Sequence, residues 1–337
     1  MRFPLIHLVL FALTFVTTSA AGAFAEGANL LADPLAIRAG FPFSIALMTI
    51  LLSHEMGHYF LSRYHRVPVT LPYFLPGFPL FVGTFGAFIR LRALPTNRRA
   101  LFDIGAAGPW AGVIVAIPAI IWGLSMSEVR PDSVGSLGLI RGNPVQFLFE
   151  GGLVFGNSLL FSLLTHWTLG VSPEAVTMHP VAFAGWFGLF VTFLNLLPVG
   201  QLDGGHVIYA LLGRRHRWVA RVALVLVVVL GFWSRYEGWF FFAIAVSMLG
   251  VDHPATADSA TPLDGKRRCL AWLTVVVFVL TFMRVPVDVV PAPLRFDNPP
   301  VETKRGETRL LEAADAATNP AWLAQAGTST SSPSRVR

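Results

Sequence analysis

His54-Glu55-Met56-Gly57-His58 lies inside the apolar stretch Phe41–Leu61, FPFSIALMTILLSHEMGHYFL, and that placement governs how the rest of the chain is read. About 20 consecutive apolar residues suffice for a helix to cross a bilayer. Ionisable side chains at that depth are costly unless paired or metal-bound, so they mark a functional site. On a helix, positions i and i+4 share one face, and both imidazoles can reach a single metal ion. Glu55 is rotated about 100° from His54, close enough to act on a water at the metal without ligating it.

Composition agrees with a membrane setting. Of the 337 residues, 54% are hydrophobic and 13% are charged, and mean hydropathy is +0.62. A soluble domain carries about 25% charged residues. The net charge of +6 does not indicate a nucleic-acid partner, because the basic residues cluster at the ends of apolar segments, as in cytoplasmic loops. Cys269 is the single cysteine among nine histidines, so a metal site here must be built from imidazole and carboxylate.

The expected fold is an all-α multi-pass membrane protein of about seven transmembrane helices, with a short re-entrant β-hairpin or strand near the active site. The candidate spans are Pro4–Phe24, Phe41–Arg63, Phe102–Met126, Pro180–Leu212, Trp218–Ser234, Gly238–Val251 and Cys269–Met283. Residues 1–40 would form a first helix and external loop, 41–212 the core, 213–290 the C-terminal helices and 291–337 a mostly disordered tail. Arg2, Phe3–Val16 and Ala23-Phe24-Ala25 also suit a cleaved signal peptide. A further apolar segment, Val145–Leu169, is interrupted by Glu150, Gly151, Gly152 and Asn157. If it does not cross, Arg63, Arg66, Arg90–Arg99, Arg214–Arg217 and Lys266–Arg268 all face the cytoplasm, as the positive-inside rule requires. His54, His58 and Asp203 then lie at similar depths in the cytoplasmic half of the membrane. A bacterial cytoplasmic membrane is the expected location.

Pro68–Arg92 carries four prolines and cannot be a regular helix. Its β-prone Phe85–Leu91 suits a short strand, which beside a cleft could pair with an extended peptide. The third metal ligand should come from another helix. Asp203 is the leading candidate, within Asn195-Leu196-Leu197-Pro198-Val199-Gly200-Gln201-Leu202-Asp203-Gly204-Gly205-His206, where proline and glycines break a helix at membrane depth. Asp103 is its competitor, more naturally a helix cap. Asn195 could donate to a developing oxyanion or simply bond another helix. His206 reads as loop-side or as a neighbour of the ligands.

Four stretches in order carry a resemblance: His54–His58, Gly83-Thr84-Phe85-Gly86-Ala87, Phe102-Asp103-Ile104-Gly105-Ala106-Ala107-Gly108-Pro109, and Asn195–His206. Together they resemble the site-2 protease family of intramembrane zinc metalloproteases. The branch is the one without a PDZ domain, similar to plastid gravitropism-deficient-type proteases and bacterial relatives. The resemblance implies Zn2+ held by His54, His58 and Asp203, Glu55 as general base and an active-site Asn195. It also implies a substrate-clamping strand at Gly83, Thr84, Phe85 and Gly86, a retained first helix and single-span membrane proteins as substrates. The alternative is a membrane transporter with an intramembrane His/Asp site for zinc or protons. A diiron hydroxylase would need several histidine-rich boxes, and this chain has one His pair.

Overall fold

A computed structural model describes residues 4–79, 82–129, 152–254, 256, 258 and 260–290. Among these residues the chain is mostly helical. The helices are α1 Leu5–Ala25, α2 Phe41–Tyr64, α3 Arg98–Ser125, α4 Leu159–Leu169, α5 Pro180–Asn195, α6 Asp203–Leu212, α7 His216–Ser234, α8 Gly238–Leu249 and α9 Gly265–Thr281. Four helical runs are long and apolar enough to cross a membrane: Leu5–Ala25, Pro34–Tyr64, Arg98–Ser125 and Asp203–Ser234. The last is interrupted at Gly213, whose φ of 59° turns the chain at Arg214 and Arg215. Outward faces stay apolar, as lipid contact demands; on α7 Val222, Val225, Leu226, Val229 and Phe232 are all exposed.

α3 is the central helix, packed by α2, α5 and α6, and it can be approached closely because it is rich in glycine and alanine. A Cβ on Gly57 would meet the Ala107 carbonyl at 2.4 Å, and one on Gly123 would meet the Ala182 amide at 2.1 Å. Small residues let helix backbones meet, the packing that works in lipid. α1 joins α2 in the same way, with Thr18 and Ser44 hydroxyls 2.6 Å apart.

The expected span Pro180–Leu212 is instead two helices, α5 and α6, separated by the break at residues 196–202. Of Val145–Leu169, residues 145–151 lie outside the described residues. The rest forms β4 Gly152–Phe155 and the 11-residue α4, at 1.5 Å per residue roughly half a bilayer crossing. The tail 291–337 also lies outside the described residues.

The proline-rich loop folds as an antiparallel hairpin of β1 Tyr73–Pro76 and β2 Thr84–Phe88, with Tyr73 opposite Phe88 and an irregularity at Leu75/Pro76. Thr17 of α1 donates to the Gly83 carbonyl at 2.6 Å and anchors its turn. Two further antiparallel pairs were not expected. β3 Glu128–Val129 pairs with β5 Val176–Thr177, and β4 pairs with β6 Val287–Val290. Each joins strands far apart in the chain, which no local pattern announces.

Asp103 does not cap α3. Asn97 does, accepting from the Ala100 amide at 2.9 Å. Asp103 lies six residues further in and accepts from Arg267 at 2.8 and 2.6 Å, with His65 Nε2 at 2.7 Å. It thereby ties the ends of α2 and α9 to α3. Asp103→Ala is expected to lower stability by roughly 1–3 kcal/mol, because hydrogen bonds to a charged group are lost together. Thermal unfolding in detergent measures this; an unchanged midpoint would show the network to be incidental.

Candidate metal centre and its cleft

His54 and His58 project from one face of α2, and with Glu55 between them they are 4%, 6% and 6% exposed. Their floor is the glycine motif of α3. A Cβ on Gly108 would come within 2.0 Å of His58 Nε2, and one on Gly112 within 3.3 Å of His54 Nδ1. His58 Nδ1 lies 2.7 Å from the Ile104 carbonyl. A carbonyl only accepts, so Nδ1 carries a proton, and in the neutral ring Nε2 presents its lone pair.

Asp203 opens the helix that resumes after the break beyond Asn195: α5 runs down α3 past Gly123 and Ile120, and α6 carries on in the same direction past Gly105 to Arg98. Pro198 has no amide hydrogen to continue a helix, and Gly200 takes a φ of 56°. A Cβ on Gly204 would fall 1.9 Å from the Leu196 carbonyl, and one on Gly205 2.3 Å from the Gly200 carbonyl. Only glycine permits the backbone of the break to approach α6 so closely. Asp203 thus opens α6 with Oδ2 at 3.2 Å from His54 Nε2 and 3.3 Å from His58 Nε2. The two Nε2 atoms are themselves 3.2 Å apart.

Three buried electron-pair donors facing one another at these distances repel unless a cation lies among them. A tetrahedral ion with bonds of about 2.0–2.1 Å needs donors roughly 3.3 Å apart, so the set fits a small divalent metal. Among the described residues, His54, His58 and Asp203 are the group with this convergence.

The donors border a cavity of about 220 Å³ shared with Glu55, Asn195, Gln201 and His206. Asn195 Nδ2 lies 3.4 Å from His54 Nε2. The hairpin side of the cavity is Ala87, Phe88, Ile89 and Leu91, residues that border it together with Glu55. Gly83, Thr84, Phe85 and Gly86 are not among its lining residues. Gly83 packs on α1, the Thr84 hydroxyl donates to the Leu75 carbonyl at 2.8 Å, and Phe85 packs edge-on against Phe78. Gly86, with a φ of 98°, has open space where a side chain would be.

Sequence reasoning undervalued His206 and passed over His253, whose rings meet at 2.6 Å. His206 was open to detection, since it follows Asp203 by three positions and shares its helix face. His253, two helices later, carries no such signal.

A protein-family model described as Peptidase family M50 matches residues 42–233, more than half of the chain. "Probable zinc metalloprotease EGY1, chloroplastic" of Arabidopsis thaliana is 34% identical over 181 residues, 53% of this chain and 31% of its own length. "Probable zinc metalloprotease EGY2, chloroplastic" of the same plant is 26% identical over 182 residues, 53% of this chain and 30% of that one. "Probable zinc metalloprotease EGY3, chloroplastic" of Oryza sativa subsp. indica is 28% identical over 267 residues, 75% of this chain and 42% of that one. The chain therefore spans less than half the length of these relatives. Their names place them in chloroplasts and give the expected bacterial cytoplasmic membrane no support. With its glycine-floored donor triad inside the matched region, the chain belongs to peptidase family M50.

Proposed function

We propose that the protein is an intramembrane zinc endopeptidase that hydrolyses peptide bonds in the transmembrane segments of single-span membrane proteins. The observation that carries this is the triangle of His54, His58 and Asp203 donors beside a buried Glu55, in a cavity bordered by the end of a β-strand. The names of the plant relatives support zinc as the metal.

His54 Nε2, His58 Nε2 and Asp203 Oδ2 would hold the ion. Zinc, when bound, supplies Lewis acidity that polarises a carbonyl and makes water more acidic. Glu55 takes the proton from the attacking water and passes it to the leaving amine nitrogen. Asn195, beside His54, donates a hydrogen bond to the developing oxyanion. A helical substrate hides its amides in its own hydrogen bonds, so it must unwind before attack. The hairpin holds the unwound stretch by backbone pairing along Ala87–Ile89, while Gly83–Gly86 shape the turn that sets the strand's angle. Seven crossings, with α4 not crossing, would place the site near the membrane face shared by Arg63, Arg214 and Lys266.

The test is cleavage of a synthetic single-span helix in proteoliposomes, with zinc measured by mass spectrometry. The wild type is expected to carry roughly one zinc per chain, and Asp203→Ala to lose both metal and cleavage. Zinc retained by Asp203→Ala would refute the ligand set. Zinc crossing the bilayer without peptide cleavage would favour a transporter.

A further inference from the structure

His206 and His253 form a pair that the proposed mechanism leaves unused. His206 sits on α6 one turn beyond Asp203 and lines the cavity, its Cβ pressed against the position where Gly105 lacks one. Its Nδ1 is 2.6 Å from His253 Nε2. His253 Nδ1 in turn lies 2.5 Å from the Pro254 carbonyl, and Tyr209 stacks on the ring with centroids 4.5 Å apart. The turn carrying His253 is fastened to the helix break itself, since the Gly200 amide donates to the Val251 carbonyl at 3.0 Å.

The protons in this chain can be assigned. The Pro254 carbonyl can only accept, so His253 Nδ1 bears hydrogen. Burial, reinforced by the neighbouring His206 and His216, pushes the His253 pKa down to about 3. The ring is therefore neutral and its Nε2 is an acceptor. His206 Nδ1 must then be the donor. In a neutral His206 ring that leaves Nε2 with a bare lone pair. Because the series ends on a carbonyl, it cannot pass a proton onward, so it works as a clamp on one tautomer and not as a relay.

An extended peptide pairs with a strand through one edge, leaving the amides of its other edge without partners. An N–H taken out of water into the cleft without a partner is costly. We propose that His206 Nε2 accepts a hydrogen bond from a backbone N–H of the unwound substrate, and that His253 is a positioning residue holding His206 in the tautomer that can do so. This rests on the protease reading above.

The test combines spectroscopy with kinetics on the zinc-loaded full chain and the same synthetic helix. Imidazole 15N NMR is expected to find His206 as the Nδ1–H tautomer. His253→Leu should give a mixture of tautomers, unchanged zinc content and a kcat/KM lower by about tenfold. His253→Gln, whose carbonyl can accept the same bond, should recover to within about twofold of wild type. Nε2–H in wild-type His206, or His253→Leu cleaving at the wild-type rate, would overturn the proposal, as would no recovery with His253→Gln. If His253→Leu does not fold, the wild-type tautomer decides. A wild-type chain that cleaves nothing would instead overturn the protease reading, and the substrate role of His206 with it.

Discussion

Glu55→Gln is expected to leave zinc content unchanged while lowering peptide cleavage by roughly 10²–10⁴-fold, the usual contribution of a positioned acid–base group. Glu55 is buried on the same helix as the two histidines, but the converging donor set is His54, His58 and Asp203 without it. Glutamine keeps the size and shape of the side chain, so packing around the site should hold. What it cannot do is take a proton from water. Zinc analysis and cleavage of a single-span helix in proteoliposomes separate the two roles. Loss of zinc would make Glu55 a ligand. Cleavage within a few-fold of wild type would remove it as the base.

Gly108→Ala should be nearly as damaging, although it lies on a helix that would gain about 0.5–1 kcal/mol of intrinsic propensity from the change. The added methyl would fall 2.0 Å from His58 Nε2, and neither ring nor backbone can give way easily. His58 is pinned through Nδ1 to Ile104, and its Nε2 is one corner of the donor triangle. The expected outcome is loss of zinc and of cleavage with secondary structure retained. Gly112→Ala, where the nearest atom is His54 Nδ1 at 3.3 Å, should do less. Gly265→Ala, where the methyl meets open space, should do nothing. Zinc content across the three variants reads the series directly. A Gly108→Ala protein binding zinc like wild type would show that the glycine floor does not shape the site.

How far the site can be read from sequence follows from how local each constraint is. His54 and His58 declare themselves, because a four-residue interval on a helix puts both rings on one side whatever the surroundings. The helix break before Asp203 is also legible, since Pro198 and Gly200 interrupt a regular helix there. Asp103 shows where that reasoning stops. Near the start of an apolar span it looks like a cap, yet its partners are His65 and Arg267, brought in from two other helices.

The hairpin makes the same distinction at another scale. Four prolines and a β-prone run predict extended chain, and extended chain is found. Which end meets the cavity depends on α1, whose Thr17 holds Gly83 away from the metal ligands and leaves Ala87–Leu91 beside them.

The sequence alone therefore determined the membrane character, the ring pair on α2 and the kinked approach of Asp203. Each follows from spacing, hydropathy or backbone restriction within about a dozen neighbouring residues. Only the tertiary structure decided that α3 supplies a glycine floor under both imidazoles, that Asp103 is a tie and not a cap, and that His253 reaches back to His206. Those contacts join residues tens to more than a hundred positions apart, and such meetings are set by how whole helices pack, which no short pattern encodes.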